Sequence, residues 1–73
     1  MNVLDQFKQQ ISAVFEKPIE DETEFVRDLN ATSFHYMFIM GTVEDLFQKT
    51  ISYAEIKACK SVGDLLELCE KLL

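Results

Sequence analysis

Two glycines and one proline in 73 residues leave this chain almost without the residues that turn a backbone sharply. A sheet protein of this size needs many tight turns, and glycine and proline supply most of them. Helical periodicity must therefore carry the architecture, so an all-α fold, a small four-helix bundle, is expected. The length allows a single domain, residues 1–73, with one modest core. A hydrophobic fraction of 48% is enough to fill it.

Val3, Leu4, Phe7, Ile11, Val14 and Phe15 recur at helical spacing, which predicts a first helix from Asn2, as N-cap, to Phe15 or Glu16. Pro18 marks a boundary, because the residue before a proline is pushed out of the helical region. From Glu16 to Asp28 the chain carries six acids and two bases around Ile19, Phe25 and Val26. This reads as a long solvated connector pinned at those three apolar points. A second helix is expected from Ser33 to about Lys49. A short third fits Tyr53 to Cys59, with Ser52 as cap and Ile56 as anchor. A fourth opens at Ser61, where Asp64 three residues later matches a capping box. Its buried stripe is Val62, Leu65, Leu66, Cys69, Leu72 and Leu73.

The second helix is apolar on two sides. At about 100° per residue, Tyr36, Ile39, Met40, Val43 and Phe47 share one face with Leu46 at its edge, and that face is the expected core. Phe34, Met37, Phe38, Gly41, Glu44 and Asp45 fall opposite, where solvent is expected. An exposed apolar cluster of this kind marks a partner-binding surface.

Thirteen acids against seven bases give a formal charge of −6. That field repels phosphate backbones and favours basic patches on partner proteins, so nucleic-acid binding is disfavoured. The longest apolar run is five residues, too short to span a bilayer. Cys59 and Cys69 lack metal-ligand spacing and make no disulfide framework, so both read as buried free thiols in a reducing cytoplasm. The opening residues lack the basic start and apolar run of a signal peptide, in keeping with that location.

Catalytic constellations are mostly missing. His35 is the one histidine and reads as a surface residue, and neither cysteine lies beside it in sequence. Glu44 and Asp45 are adjacent, so they project about 100° apart and do not converge as an acid/base pair. Ser33 is the exception. It could be an N-cap, a role Thr32 could fill instead. The residues alone favour that capping role, though a phosphate attached there would face unpaired N–H groups and the positive end of the helix dipole.

The segment ETEFVRDLNATSF, followed by VEDLF, a lone isoleucine and SVGDLLELCEKL, resembles the acyl carrier proteins. Their pattern runs T-x-F-x-x-D-L-G-x-D-S-L, then E-E-x-F, I, and a closing T-V-x-D-L helix. The spacings agree without gaps from Glu22 onward, with 14 residues from Ser33 to Phe47, 4 more to Ile51 and 11 more to Val62. The resemblance implies four helices with a long first loop and a short third helix. It also implies a 4′-phosphopantetheine arm on Ser33, taken from coenzyme A by a magnesium-dependent phosphopantetheinyl transferase. The arm's thiol would hold acyl groups as thioesters for the acyl-loading and acyl-transfer enzymes of fatty acid, polyketide or nonribosomal peptide synthesis. By this resemblance the protein is a monomeric handle for cargo, and not an enzyme.

The sequence departs from that pattern most around Ser33, where the family's D-S-L reads Thr32, Ser33, Phe34. Thr32 stands where the family has aspartate. Asn30 replaces its glycine, a mild change because asparagine also tolerates left-handed turns. The outer face of helix two, usually acidic, holds His35, Tyr36 and Phe38 near Ser33 and regains acids only at Glu44 and Asp45. An alternative reading follows: a carrier-like module that is never modified and binds a partner through Phe34, Met37 and Phe38.

Overall fold

The computed structural model describes residues 2–72. They form four helices, α1 (Val3–Phe15), α2 (Ser33–Phe47), α3 (Tyr53–Ala58) and α4 (Val62–Glu70), with the long loop after α1 and the short third helix that were expected. Leu73, assigned above to the apolar stripe of the last helix, lies outside the described residues. No helix among the described residues is long and apolar enough to cross a membrane.

Polar side chains start the helices by taking up backbone N–H groups that have no helical partner. Asn2 Oδ1 accepts the Asp5 N–H at 2.9 Å. Ser52 and Glu55 form a reciprocal box, each accepting the other's N–H at 3.1 Å. Ser61 and Asp64 do the same at 3.2 Å, so the sequence match there is a true capping box. Each cap contributes about 1 kcal/mol, which matters for elements of six and nine residues that could not persist alone. At their far ends α1 and α2 both close on a left-handed residue, Glu16 (φ 55°) and Gln48 (φ 56°). Gln48 thereby stops α2 at Phe47, two residues before the expected Lys49. Cys59 takes an extended backbone and ends α3 at Ala58.

Helix α1 packs on α2 and α4, and α2 packs on α3. Phe7, Ile11 and Phe15 meet Tyr36, Ile39, Val43 and Phe47, and Ile51, Ile56, Val62, Leu65 and Cys69 are buried with them. Phe7 and Phe47 meet edge to face at 5.7 Å, a favoured aromatic geometry. Met40, Leu46, Leu66 and Leu72 are partly buried around this core. Thr42 is buried as well, outside the expected face. Its Oγ1 donates to the Phe38 carbonyl at 3.0 Å, so the hydroxyl enters the core satisfied.

The long loop belongs to the core rather than lying over it. Ile19, Phe25 and Leu29 are buried, whereas Val26 is 70% exposed. Leu29 thus takes the anchoring place expected for Val26. The cause is a helical turn in which the Asp28 and Leu29 N–H groups both donate to the Glu24 carbonyl. Residues four apart share a side of such a turn, so Phe25 and Leu29 point inward and Val26 points away. Phe25 lies 6.4 Å from the Phe15 ring and 6.0 Å from the Tyr36 ring. Its N–H donates to the Lys60 carbonyl, and its carbonyl accepts the Ala31 N–H. Thr23 and Asp21 carbonyls accept the Val62 and Gly63 N–H groups at 2.9 and 2.8 Å, and Glu24 and Ser61 form an antiparallel bridge. The loop therefore also seats the start of α4.

Asp28 secures the loop turn. Arg27 Nε and Nη2 fork onto its two carboxylate oxygens at 3.0 and 2.9 Å, and its Oδ2 accepts the Glu24 N–H at 2.8 Å. The Arg27 hydrogen bonds first, and then the Glu24 N–H, hold the Asp28 carboxyl at about 2.

Two sets of substitutions test this arrangement. A Cβ at Gly63 would lie 3.0 Å from the Asp21 carbonyl oxygen, whereas one at Gly41 would meet nothing within 4 Å. Gly63→Ala is expected to destabilise by about 1–3 kcal/mol, since the obstacle is backbone. Gly41→Ala, in an exposed helix interior, should stabilise by up to about 1 kcal/mol. Thermal denaturation followed by circular dichroism reads both, and equal effects would show that the loop is not seated on α4. For Asp28, a folded pKa below the unfolded one means that its contribution is complete above about pH 4. It is lost as the pH falls through about 2. The stability gap between wild type and Asp28→Asn is expected to narrow across that window in acid titrations, and a constant gap would refute the ion pair.

Candidate functional site at the start of helix two

Asn30 takes a left-handed conformation (φ 53°), which asparagine tolerates, and so turns the loop toward α2. Thr32 then adopts an extended backbone and is the N-cap of α2, its carbonyl accepting the Tyr36 N–H at 3.2 Å. His35 Nδ1 accepts the Thr32 N–H at 2.9 Å. An imidazole here does what a glutamate or glutamine does in a capping box, with the ring proton on Nε2 as that bond requires. The ring also stacks on Phe15 at 4.3 Å. His35 is therefore a half-buried structural residue, not the surface residue expected.

With Thr32 as cap, Ser33 becomes the first helical residue and is exposed. Its Oγ accepts a hydrogen bond from the Tyr53 hydroxyl at 3.1 Å. Tyr53 opens α3, and its ring meets Tyr36 edge-on at 6.1 Å. One turn later, Lys57 places its ammonium 5.8 Å from the Tyr36 ring centroid. No acidic side chain lies in the first turn of α2.

This arrangement presents a hydroxyl without activating it. His35 has one ring nitrogen engaged by Thr32 and the other protonated, so it offers Ser33 no base. The thiols are equally quiet. Burial pushes Cys69 up to about 12, and Cys59 is raised for the same reason, with nearby Asp64 and Glu55 adding to it. Cys69 is fully buried as expected, but Cys59 is only half-buried. It lies at the end of α3, where its thiol donates to the Glu55 carbonyl at 3.5 Å. Among the described residues no three histidine, cysteine or acidic side chains gather in a way that could hold a metal ion.

On the outer face of α2, Phe34 is 70%, Met37 64% and Phe38 39% exposed. Gly41, Glu44 and Asp45 are exposed beyond them. The apolar half of this face is next to Ser33 and the acidic half lies towards the other end of the helix. The sequence placed Ser33 at the start of α2 and Phe34, Met37 and Phe38 on its exposed face, where they lie, but the contacts made by His35 and Tyr53 were not expected from it. Thr32 and His35 have capping-box spacing, a signal present in the sequence. The link from Tyr53 to Ser33 spans 20 residues and leaves no local trace.

The helical register can be tested by substitution. Phe38→Glu is expected to shift stability by about 1 kcal/mol at most, as surface changes do. Val43→Glu would put a charge at a fully buried position and should unfold the protein, a loss above about 3 kcal/mol. Urea denaturation separates them, and comparable losses would place Phe38 in the core. Compared with known proteins, the sequence is matched by no family model and by no curated protein.

Proposed function

We propose that this protein is a carrier of acyl or related groups, of the acyl-carrier-protein type, with Ser33 as the attachment point for a 4′-phosphopantetheine arm. One observation carries this reading most of the way: Thr32 is the cap of α2, so the exposed Ser33 hydroxyl is spared that duty at the first helical position. The surroundings fit the group. Unpaired N–H groups of the first turn and the positive end of a 15-residue helix suit a phosphodiester, and no acid stands in that turn to repel it. When attached, the arm supplies a thiol that holds cargo as a thioester. The chain itself supplies the hydroxyl, the helix end and the face on which a transferase and acyl-transfer enzymes dock.

A second reading draws on Phe34 and Met37, which remain largely exposed beside Ser33. A module that is never modified could use that face alone to bind a partner. Co-expression with a broad-specificity phosphopantetheinyl transferase, followed by intact mass measurement, separates the two. The carrier reading expects one added phosphopantetheine, lost in Ser33→Ala while helicity persists. An unchanged mass, or an arm on Ser12, Ser52 or Ser61, would refute it.

A further inference from the structure

We infer that Tyr53 is a positioning residue for the modification of Ser33: its hydroxyl fixes the orientation of Ser33 Oγ and afterwards donates to the phosphodiester formed there. The inference rests on the carrier reading. An exposed serine hydroxyl ordinarily samples its three staggered rotamers. Here the Tyr53 hydroxyl donates to Oγ at 3.1 Å and favours one of them.

The phenol is itself held. Its backbone opens α3 directly after Ser52, where the Ser52–Glu55 box fixes the helix start. Its ring lies edge-on to Tyr36, which is buried and in turn packs against Phe25. A line of aromatic rings thus connects the core to the Ser33 oxygen.

The direction of that hydrogen bond suits the chemistry. In the transfer, Ser33 Oγ attacks the coenzyme A phosphorus that bears pantetheine. The Oγ–P bond forms, and the bond from that phosphorus to the bridging oxygen breaks. The electron pair leaves with 3′,5′-ADP, and the serine proton passes to a base on the transferase. Because Oγ accepts from Tyr53, its own O–H remains free to face that base, and a lone pair remains for phosphorus. Once esterified, Oγ is a poor acceptor, and the phenol hydroxyl has anionic phosphate oxygens close by for a stronger, charge-assisted bond.

Tyr53→Phe deletes the hydroxyl and keeps the ring on Tyr36. With a broad-specificity transferase, the variant is expected to show kcat reduced about three- to tenfold at unchanged KM for the carrier. In the isolated modified protein, the phosphodiester ³¹P resonance should move from its wild-type position, a readout that a merely structural contact would not change. Equal kcat and an unmoved resonance would overturn the inference. So would a rise in KM alone, which would make Tyr53 a docking contact, or a fall in Tm with an unmoved resonance, which would make it a strut between α2 and α3. Wild type that takes up no arm at Ser33 would remove the carrier reading and this inference with it. Wild type that is modified no differently from Tyr53→Phe would remove only the role of Tyr53.

Discussion

The seating of Phe25 between Phe15 and Tyr36 is the contact on which the rest of the structure depends. It turns an acidic connector into a buried part of the fold, joined to the last residue of α1 and to the first turns of α2. Truncating a fully buried phenylalanine typically costs about 3–5 kcal/mol, a large share of the roughly 5–15 kcal/mol that holds a small domain together. The same residue bonds through its backbone to Lys60 and Ala31. Losing it would therefore loosen both the seat of α4 and the approach to Ser33.

Around that anchor the molecule separates two kinds of surface. Acids crowd the loop, where Arg27 binds Glu24 and Asp28, and Lys8 pairs with Asp21. The outer face of α2 beside Ser33 is apolar instead. Contacts made by Phe34 and Met37 are not screened by salt, while those of Glu44 and Asp45 are. A partner that reads both halves would gain orientation from charge at one end and affinity from burial at the other. The proposed site thus combines a hydroxyl set by a neighbouring helix with a docking face of graded polarity.

Much of this was legible in the sequence, for identifiable reasons. Helix positions follow from the recurrence of apolar residues, and Asn2, Ser52 and Ser61 are capping residues in the expected places. The loop resisted the same treatment because its inward residues are set by one turn at Glu24, so Leu29 and not Val26 is buried. His35 escaped because an imidazole rarely fills a carboxylate's place in a cap. Thr42 reads as polar until its bond to the Phe38 carbonyl is seen. Tyr53 reaches Ser33 only through tertiary packing, which no local pattern encodes.

The left-handed residues carry one more consequence. Glu16, Asn30 and Gln48 hold positive φ, while no glycine among the described residues does. A side chain in that region costs roughly 1–2 kcal/mol that glycine would avoid. Asparagine lowers this penalty with its short polar side chain, but glutamate and glutamine do not. The ends of α1 and α2 therefore retain unrelieved conformational strain, and the protein has a thermodynamic reserve at Glu16 and Gln48. Evolution or design could draw on it to compensate for destabilising changes on the exposed apolar face of α2, leaving Ser33 and Tyr53 where they are.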